Sequence, residues 1–356
     1  MKINKSFAER INYIRETELQ SRAHSKKIVY WEEDSRLRSE QGKALVFILP
    51  TRGCSWALSK SGGCSICGYI YDNPQQTDFD SIYDTFQAIL KNKLKKEFAY
   101  AIKIFTSGSF LDPLEIPEEL QLKFTEELSK YEQIKEIVVE SRPEYIKGST
   151  LQKIAKVIDV SILEIAIGLE STNNSILMNS INKGFFWEDF EKATKIVKEN
   201  GAKVKAYLLF KPPFVSEYDS MRDMLQSVKR IISLEIDTIS INAVSIHRGT
   251  YLSQLFEKHQ YRTPWLWSLF YVCKNIKEHF PNLRLICDIV AGGNMRGAHN
   301  CGECDQEVIQ AIKNFTMSQN VDSLGEEISC SCKNEWKSNL LHEKISISEQ
   351  VSQKYM

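Results

Sequence analysis

Cys54, Cys64 and Cys67 form a C-x9-C-x2-C array within Thr51-Arg52-Gly53-Cys54 and Gly62-Gly63-Cys64-Ser65-Ile66-Cys67-Gly68-Tyr69. Three thiolates with no fourth beside them can hold three irons of a 4Fe-4S cluster and leave one iron open to a small molecule. A structural zinc site is the other chemistry that a C-x2-C pair and a more distant cysteine allow. The absent local fourth ligand weighs against zinc. So does the position of the array, which directly follows the apolar run 44–49.

A second group lies near the C-terminus. Cys301 and Cys304 have metal-ligand spacing, and Cys330 and Cys332 can close a tetrahedral site with them. His299 is a possible substitute for one of the latter two. Zinc is the preferred metal, with a second iron-sulfur cluster and free thiols as alternatives. Cys273 and Cys287 stand alone and read as small buried hydrophobes.

The 356 residues allow one large domain with an accessory unit. Forty-six basic and 46 acidic residues balance, so no global field points to a nucleic-acid partner. No apolar run approaches the roughly 20 residues of a membrane span, and the N-terminus has no signal-like apolar segment, so a cytoplasmic protein without membrane contact is expected. Nine cysteines in such a chain argue for metal or catalytic thiols rather than disulfides.

Strands are predicted at 44–49, 101–106, 136–140, 162–168, 203–210 and 238–245, alternating with helices at 79–97, 116–130, 149–158, 187–200 and 219–234. This alternation implies an α/β fold of parallel strands joined by crossover helices. Six repeats suit a partial (β/α)6 barrel occupying 41–290. A helical extension is expected outside it at 1–40, and a small cysteine-rich extension at 291–356 with a helix at 305–318. In α/β barrels chemistry sits at the carboxyl ends of the strands. Those ends carry the cysteine loop, Thr106-Ser107-Gly108-Ser109, Glu140-Ser141-Arg142-Pro143, Gly168-Leu169-Glu170, Lys211-Pro212-Pro213 and His247-Arg248-Gly249.

At this point the chain resembles the radical S-adenosylmethionine (SAM) enzymes, in which SAM chelates the open iron of a 4Fe-4S cluster. Most of them use C-x3-C-x2-C. The long first gap resembles instead the branch of the Elongator catalytic subunit. Leu49-Pro50-Thr51-Arg52-Gly53-Cys54, Gly62-Gly63-Cys64, Glu140-Ser141-Arg142-Pro143-Glu144, Gly168-Leu169-Glu170 and Lys211-Pro212-Pro213-Phe214 resemble the archaeosine-forming (RaSEA type) members of that branch. The resemblance implies a TIM-like radical SAM partial barrel and places Ile66 near the adenine. It gives Gly108 and Ser109 the strand-two role of receiving the SAM amine through backbone groups, and makes Glu140, Glu170 and Lys183 SAM contacts. Read without the resemblance, Glu140 and Arg142 form an ion pair at a strand end, and Lys183 is a helix C-cap charge.

The resemblance also implies a substrate and partners. A partner tRNA lysine transferase (archaeosine synthase) attaches lysine to a 7-deazaguanine base in the D-loop of tRNA. The radical enzyme, reduced by an external electron donor, then cleaves the lysine carbon-nitrogen bond to leave archaeosine. Lys205, Lys211, Arg248 and the lysines at 91, 93, 95 and 96 are candidate phosphate contacts. The alternatives are a radical SAM enzyme acting on another RNA base or a small metabolite, and a non-catalytic metal-stabilised RNA-binding module.

Overall fold

The computed structural model describes residues 5–20, 23–24, 26–325 and 328–343. The outermost parts of the 1–40 and 291–356 segments lie outside the described residues. Among the described residues one eight-stranded sheet runs in the order β1 to β8. Its strands are β1 Val29–Arg36, β2 Gln41–Ile48, β3 Tyr100–Phe105, β4 Ile134–Glu140, β5 Leu163–Glu170, β6 Lys203–Phe210, β7 Thr238–Ala243 and β8 Arg284–Asp288. β1 pairs antiparallel with β2, and every later pair is parallel. The sheet curls into an open half-barrel.

The helices are α1 Lys5–Leu19, α2 Phe79–Lys93, α3 Glu118–Leu128, α4 Gly148–Ile154, the short α5 Asn174–Ile176, α6 Trp187–Glu199, α7 Glu217–Ile232, α8 Tyr251–Glu257, α9 Leu266–His279, α10 Asp305–Ser318 and α11 Cys332–His342. α7 shows why such segments are helical. Ser216 caps it by accepting from the Asp219 N–H, acids occupy its first turn, and Lys229 and Arg230 occupy its last, which complements the backbone dipole. Alternate strand residues such as Phe47, Ile104, Ile137, Ile165, Leu208 and Ile241 are buried against the outer helices. Each such side chain contributes roughly 1.5–3 kcal/mol.

All six predicted strands are present. The prediction missed β1 and β8. β1 (VYWEEDSR) is mostly exposed and has no apolar alternation, and β8 has five residues. The N-terminal segment therefore departs from the expected outer helical extension. Its second half is a strand of the sheet, and α1 lies over the cysteine loop. There Arg15 donates to the carbonyls of Gly62 and Cys64 at 2.8 and 3.2 Å.

The inner face carries charge. The turn after β1 crosses the amino-terminal mouth of the half-barrel, where Arg38 pairs with Glu136 (3.5 Å) and Arg284 donates to the carbonyl of Arg36. Arg284 also meets Glu136 at 3.1 Å and Glu164 at 3.9 Å. Lys205 lies 3.7 Å from Glu164, which accepts from Thr238 at 2.7 Å. Burial opposes ionisation of Glu164, but Lys205 and Arg284 hold its carboxyl below the usual range. Removing one partner of a buried ionic group typically costs about 3–5 kcal/mol. Arg284→Met is therefore expected to lower the stability of the metal-free protein by about 3 kcal/mol in urea unfolding, whereas a loss under about 1 kcal/mol would class the network with surface pairs.

Candidate functional site

The exits of β2 and β3 are tied together by one buried carboxylate. Thr51 Oγ1 donates to Glu115 Oε1 at 2.7 Å and the Ser109 N–H donates to Glu115 Oε2 at 2.6 Å. Asn73 adds a bond to the Thr51 carbonyl at 2.9 Å. Gly108 fits because it has no side chain: a Cβ there would lie 2.1 Å from Glu115 Oε2 and 2.7 Å from Cys54 Cα. Gly62, at φ +68°, similarly lets the cysteine loop approach the Asn12 backbone of α1.

The second half of that loop is held from across the rim. The Ser65 N–H and hydroxyl donate to the carbonyls of Ile181 and Ser180 at 2.8 and 2.7 Å, the Leu252 N–H donates to the Ser65 carbonyl, and Asn182 donates to the Gly63 carbonyl. Burial pushes the Cys54 thiol up and the Cys67 thiol up to about 12, while Arg142 and Arg15 respectively pull the other way. Thiols in this setting become ligands when a metal centre supplies the compensating positive charge.

The C-terminal cysteines form a compact group. The ligand atoms of Cys301, Cys304, Cys330 and Cys332 all lie within 4.8 Å of one another, with Cys301–Cys330 and Cys304–Cys332 contacts of 3.6 and 3.7 Å. Four sulfurs bound tetrahedrally to one ion at 2.3 Å stand about 3.8 Å apart. Among the described residues no other three metal-ligating side chains gather this closely. Cys54, Cys64 and Cys67 lie apart from this group, on the loop that follows β2. His299 stands outside the compact group: its Nδ1 lies 3.0 Å from both Thr263 Oγ1 and the Gly297 carbonyl oxygen, so the four sulfurs assemble without it.

Glu140, Glu170 and Lys183 meet at the carboxyl ends of β4 and β5. Lys183 Nζ bonds Glu170 Oε1 at 2.8 Å in the space left by Gly168, where a Cβ would lie 2.9 and 3.0 Å from those atoms. Burial opposes the Lys183 charge, but Glu170 holds its ammonium above the usual range. Lys183 is thus an inward ion-pair partner rather than a solvated cap. Burial lifts the Glu140 carboxyl to about 7 despite a hydrogen bond from Tyr207 and the pull of Lys205. Arg142 pairs with Glu144 at 2.6 Å, so the expected Glu140–Arg142 pair is not formed. Both backbone polar groups of Ser109 have internal partners, Glu115 and the Asp112 N–H, and its hydroxyl accepts from the Arg142 N–H at 3.0 Å. Ile66 packs with Leu177, Ile181 and Leu252. Ser107, Glu170 and Lys211 hold left-handed φ values of 63°, 70° and 61° at the ends of three strands. Non-glycine residues in such conformations cost of order 1–3 kcal/mol each and cluster at functional sites.

Sequence comparison decides the family. The chain is 37% identical over 309 residues to the archaeosine synthase subunit beta of Methanosarcina acetivorans, covering 86% of this chain and 88% of that one. It is also 37% identical over 314 residues to the subunit of that name from Thermococcus kodakarensis, covering 87% and 95%. The chain belongs to the archaeosine synthase subunit beta family. No family model matches it. Among solved structures, an N-terminally truncated Elp3 from Methanocaldococcus infernus superposes with a TM-score of 0.45 at 16% identity, over 59% of this chain and 51% of that one.

In this archaeosine synthase subunit beta relative, several residues with a place at the rim escaped sequence reading. Glu115 follows β3 in an otherwise unremarkable loop, Tyr207 sits in an apolar-looking strand, and Arg15 belongs to a helix far away in sequence. Their roles depend on contacts across the barrel, which periodicity does not reveal. Among the phosphate candidates, Lys205 and Lys211 are buried in pairs with Glu164 and Glu217. Lys91 and Lys93 close α2 at the end that leads into β3, away from the cysteine rim. Arg248 is exposed beside that rim.

Glu140 gives a pH prediction. The folded state holds its proton up to about 7, whereas the ordinary carboxyl releases it at 4.5. Between those values the folded state binds more protons than the unfolded chain, so stability falls as pH rises. Denaturant midpoints of the metal-free protein are expected to decline from about pH 5 to about pH 8, and Glu140→Gln to flatten part of that slope. An unchanged slope in the variant would show that Glu140 does not titrate in this range.

Proposed function

We propose that this chain is a radical SAM carbon-nitrogen lyase that completes archaeosine in the D-loop of tRNA, releasing the lysine side chain from a lysine-adducted 7-deazaguanine base. The observation that carries this reading is an incomplete thiolate set. Cys54, Cys64 and Cys67 share one strand-end loop, the other clustered cysteines are gathered elsewhere, and the relatives of this chain bear the name archaeosine synthase subunit beta.

In this reading Cys54, Cys64 and Cys67 hold a 4Fe-4S cluster, and Glu140, Glu170, Lys183, Ile66 and the Gly108-Ser109 backbone line the SAM position. Bound there, the cluster and SAM would supply radical chemistry for removing a hydrogen atom from the substrate carbon next to the departing nitrogen. The chain's own part is placement. Glu115 fixes the two loops that meet behind the cofactor, and the Glu170–Lys183 pair presents a neutral polar wall. A base held in an RNA stack must leave it to reach this rim. The reading calls for an external one-electron donor to the cluster, and for a transferase subunit that would supply the lysine adduct. No helix among the described residues is long and apolar enough to cross a membrane.

The four C-terminal cysteines are assigned to structural zinc, which would link the Cys301–Cys304 turn ahead of α10 to the start of α11 and contribute folding free energy. Anaerobic metal analysis of the purified chain is expected to give about four irons alongside zinc, and zinc alone would sink the enzyme reading. 5'-Deoxyadenosine should be released with lysine-modified tRNA and not with the free nucleoside. Cys64→Ala is expected to abolish SAM cleavage. Cys304→Ala should lower the thermal midpoint, and a folded Cys304→Ala protein with equal loss of SAM cleavage would overturn this division of roles.

A further inference from the structure

Two buried guanidiniums bracket the cysteine loop. Arg15 approaches from α1 and is spent mostly on holding the loop, through the Gly62 and Cys64 carbonyls. Arg142 approaches from the end of β4 and makes no contact of that kind. Its Nε bonds Glu144 at 2.6 Å, its Nη1 bonds the Lys183 carbonyl at 3.0 Å, and its Nη2 is buried without a partner. The guanidinium carbon lies 5.4 Å from the ring centre of Trp56, two residues after Cys54, and 5.1 Å from that of Phe185. Trp56 is itself held by a 2.8 Å bond to the Asn182 carbonyl, and Gly184 abuts its ring. Arg142 is thus fixed between two rings, one of them Trp56 of the cysteine loop itself.

An unsatisfied buried N–H on a charged group is costly, and the cost is recovered when an anionic acceptor arrives. A cluster on three thiolates carries excess negative charge, and one-electron reduction adds another. A fixed cation beside it stabilises the reduced form more than the oxidised form. Net charge and hydrogen bonds to the sulfurs are among the factors that set such potentials.

We propose that Arg142 is an electrostatic positioning group for the cluster of Cys54, Cys64 and Cys67, raising its reduction potential so that an external one-electron donor can reduce it. This rests on the cluster assigned above. It concerns the cluster before SAM binds, so it is separable from any contact of Arg142 with SAM.

The test is the midpoint potential of anaerobically reconstituted protein without SAM, read by the reduced-cluster electron paramagnetic resonance signal against dithionite and titanium(III) citrate. Wild type, Arg142→Met and Arg142→Gln are compared at equal iron content. Both neutral variants are expected to load iron and to show, at the wild-type midpoint, about a tenfold lower ratio of reduced to oxidised cluster, equivalent to about 59 mV for one electron. Arg142→Lys, which keeps the charge but not the planar fork, should shift less. A loaded neutral variant with the wild-type midpoint overturns the proposal. So does failure of both neutral variants to load iron while folded, since Arg142 would then serve loop assembly. Wild-type protein that binds no iron would instead sink the cluster reading itself.

Discussion

Alternation along the seven parallel strands is the constraint from which the rest follows. One residue in two must face the helices and the other must face the interior of an open half-barrel. The outward set is apolar and buried, as Phe47, Ile104, Ile165 and Leu208 show. The inward set includes Lys103, Glu136, Glu140, Glu164, Lys205, Tyr207 and Arg284. Charges taken out of water are tolerated only when paired, so the interior is organised as opposed ions. At the amino-terminal mouth the turn after β1 contributes Arg38 to that pairing. The added N-terminal strand is therefore part of the charge balance as well as an edge.

At the opposite rim the same constraint is left partly unmet, and that is where chemistry can occur. Parallel strands bring every carboxyl end to one side, so loops distant in sequence meet there. Half-buried thiols, a carboxyl lifted to about 7, and left-handed Ser107, Glu170 and Lys211 share this rim. These features cost folding free energy unless something binds. The buried unpartnered nitrogens of Arg15 and Arg142 lie beside the same loop.

The two cysteine groups are placed by different parts of the fold. Both contain a C-x2-C pair. The C-terminal four close to within 4.8 Å because the turn before α10 and the residues leading into α11 converge. The rim cysteines are placed by independent anchors, with Cys54 against Gly108 and the Ser65 segment against Ile181 and Leu252. A compact group of four sulfurs suits one ion.

Local pattern was enough for much of this. The alternation of apolar runs and amphipathic segments placed all six central strands, with 203–210 and the helix at 305–318 at the observed bounds. It also placed the cysteine loop at the carboxyl end of a strand, because periodicity and chain order together dictate a parallel sheet. Glu140 and Glu170 were legible as rim residues for the same reason, whereas Lys183 was singled out only through the family resemblance. What the sequence could not supply depends on contacts between distant segments. β1 lacks the apolar alternation of a core strand, since its place at the sheet edge leaves most of it exposed. Glu115, Arg15 and Tyr207 acquire meaning only from the groups that fold against them, and His299 is turned away from the sulfurs by Thr263 and Gly297. Lys205 and Lys211 read as free cations until tertiary burial pairs them with Glu164 and Glu217. Sequence determines which groups reach the rim; packing across the barrel decides which of them are already neutralised and which remain to meet a ligand.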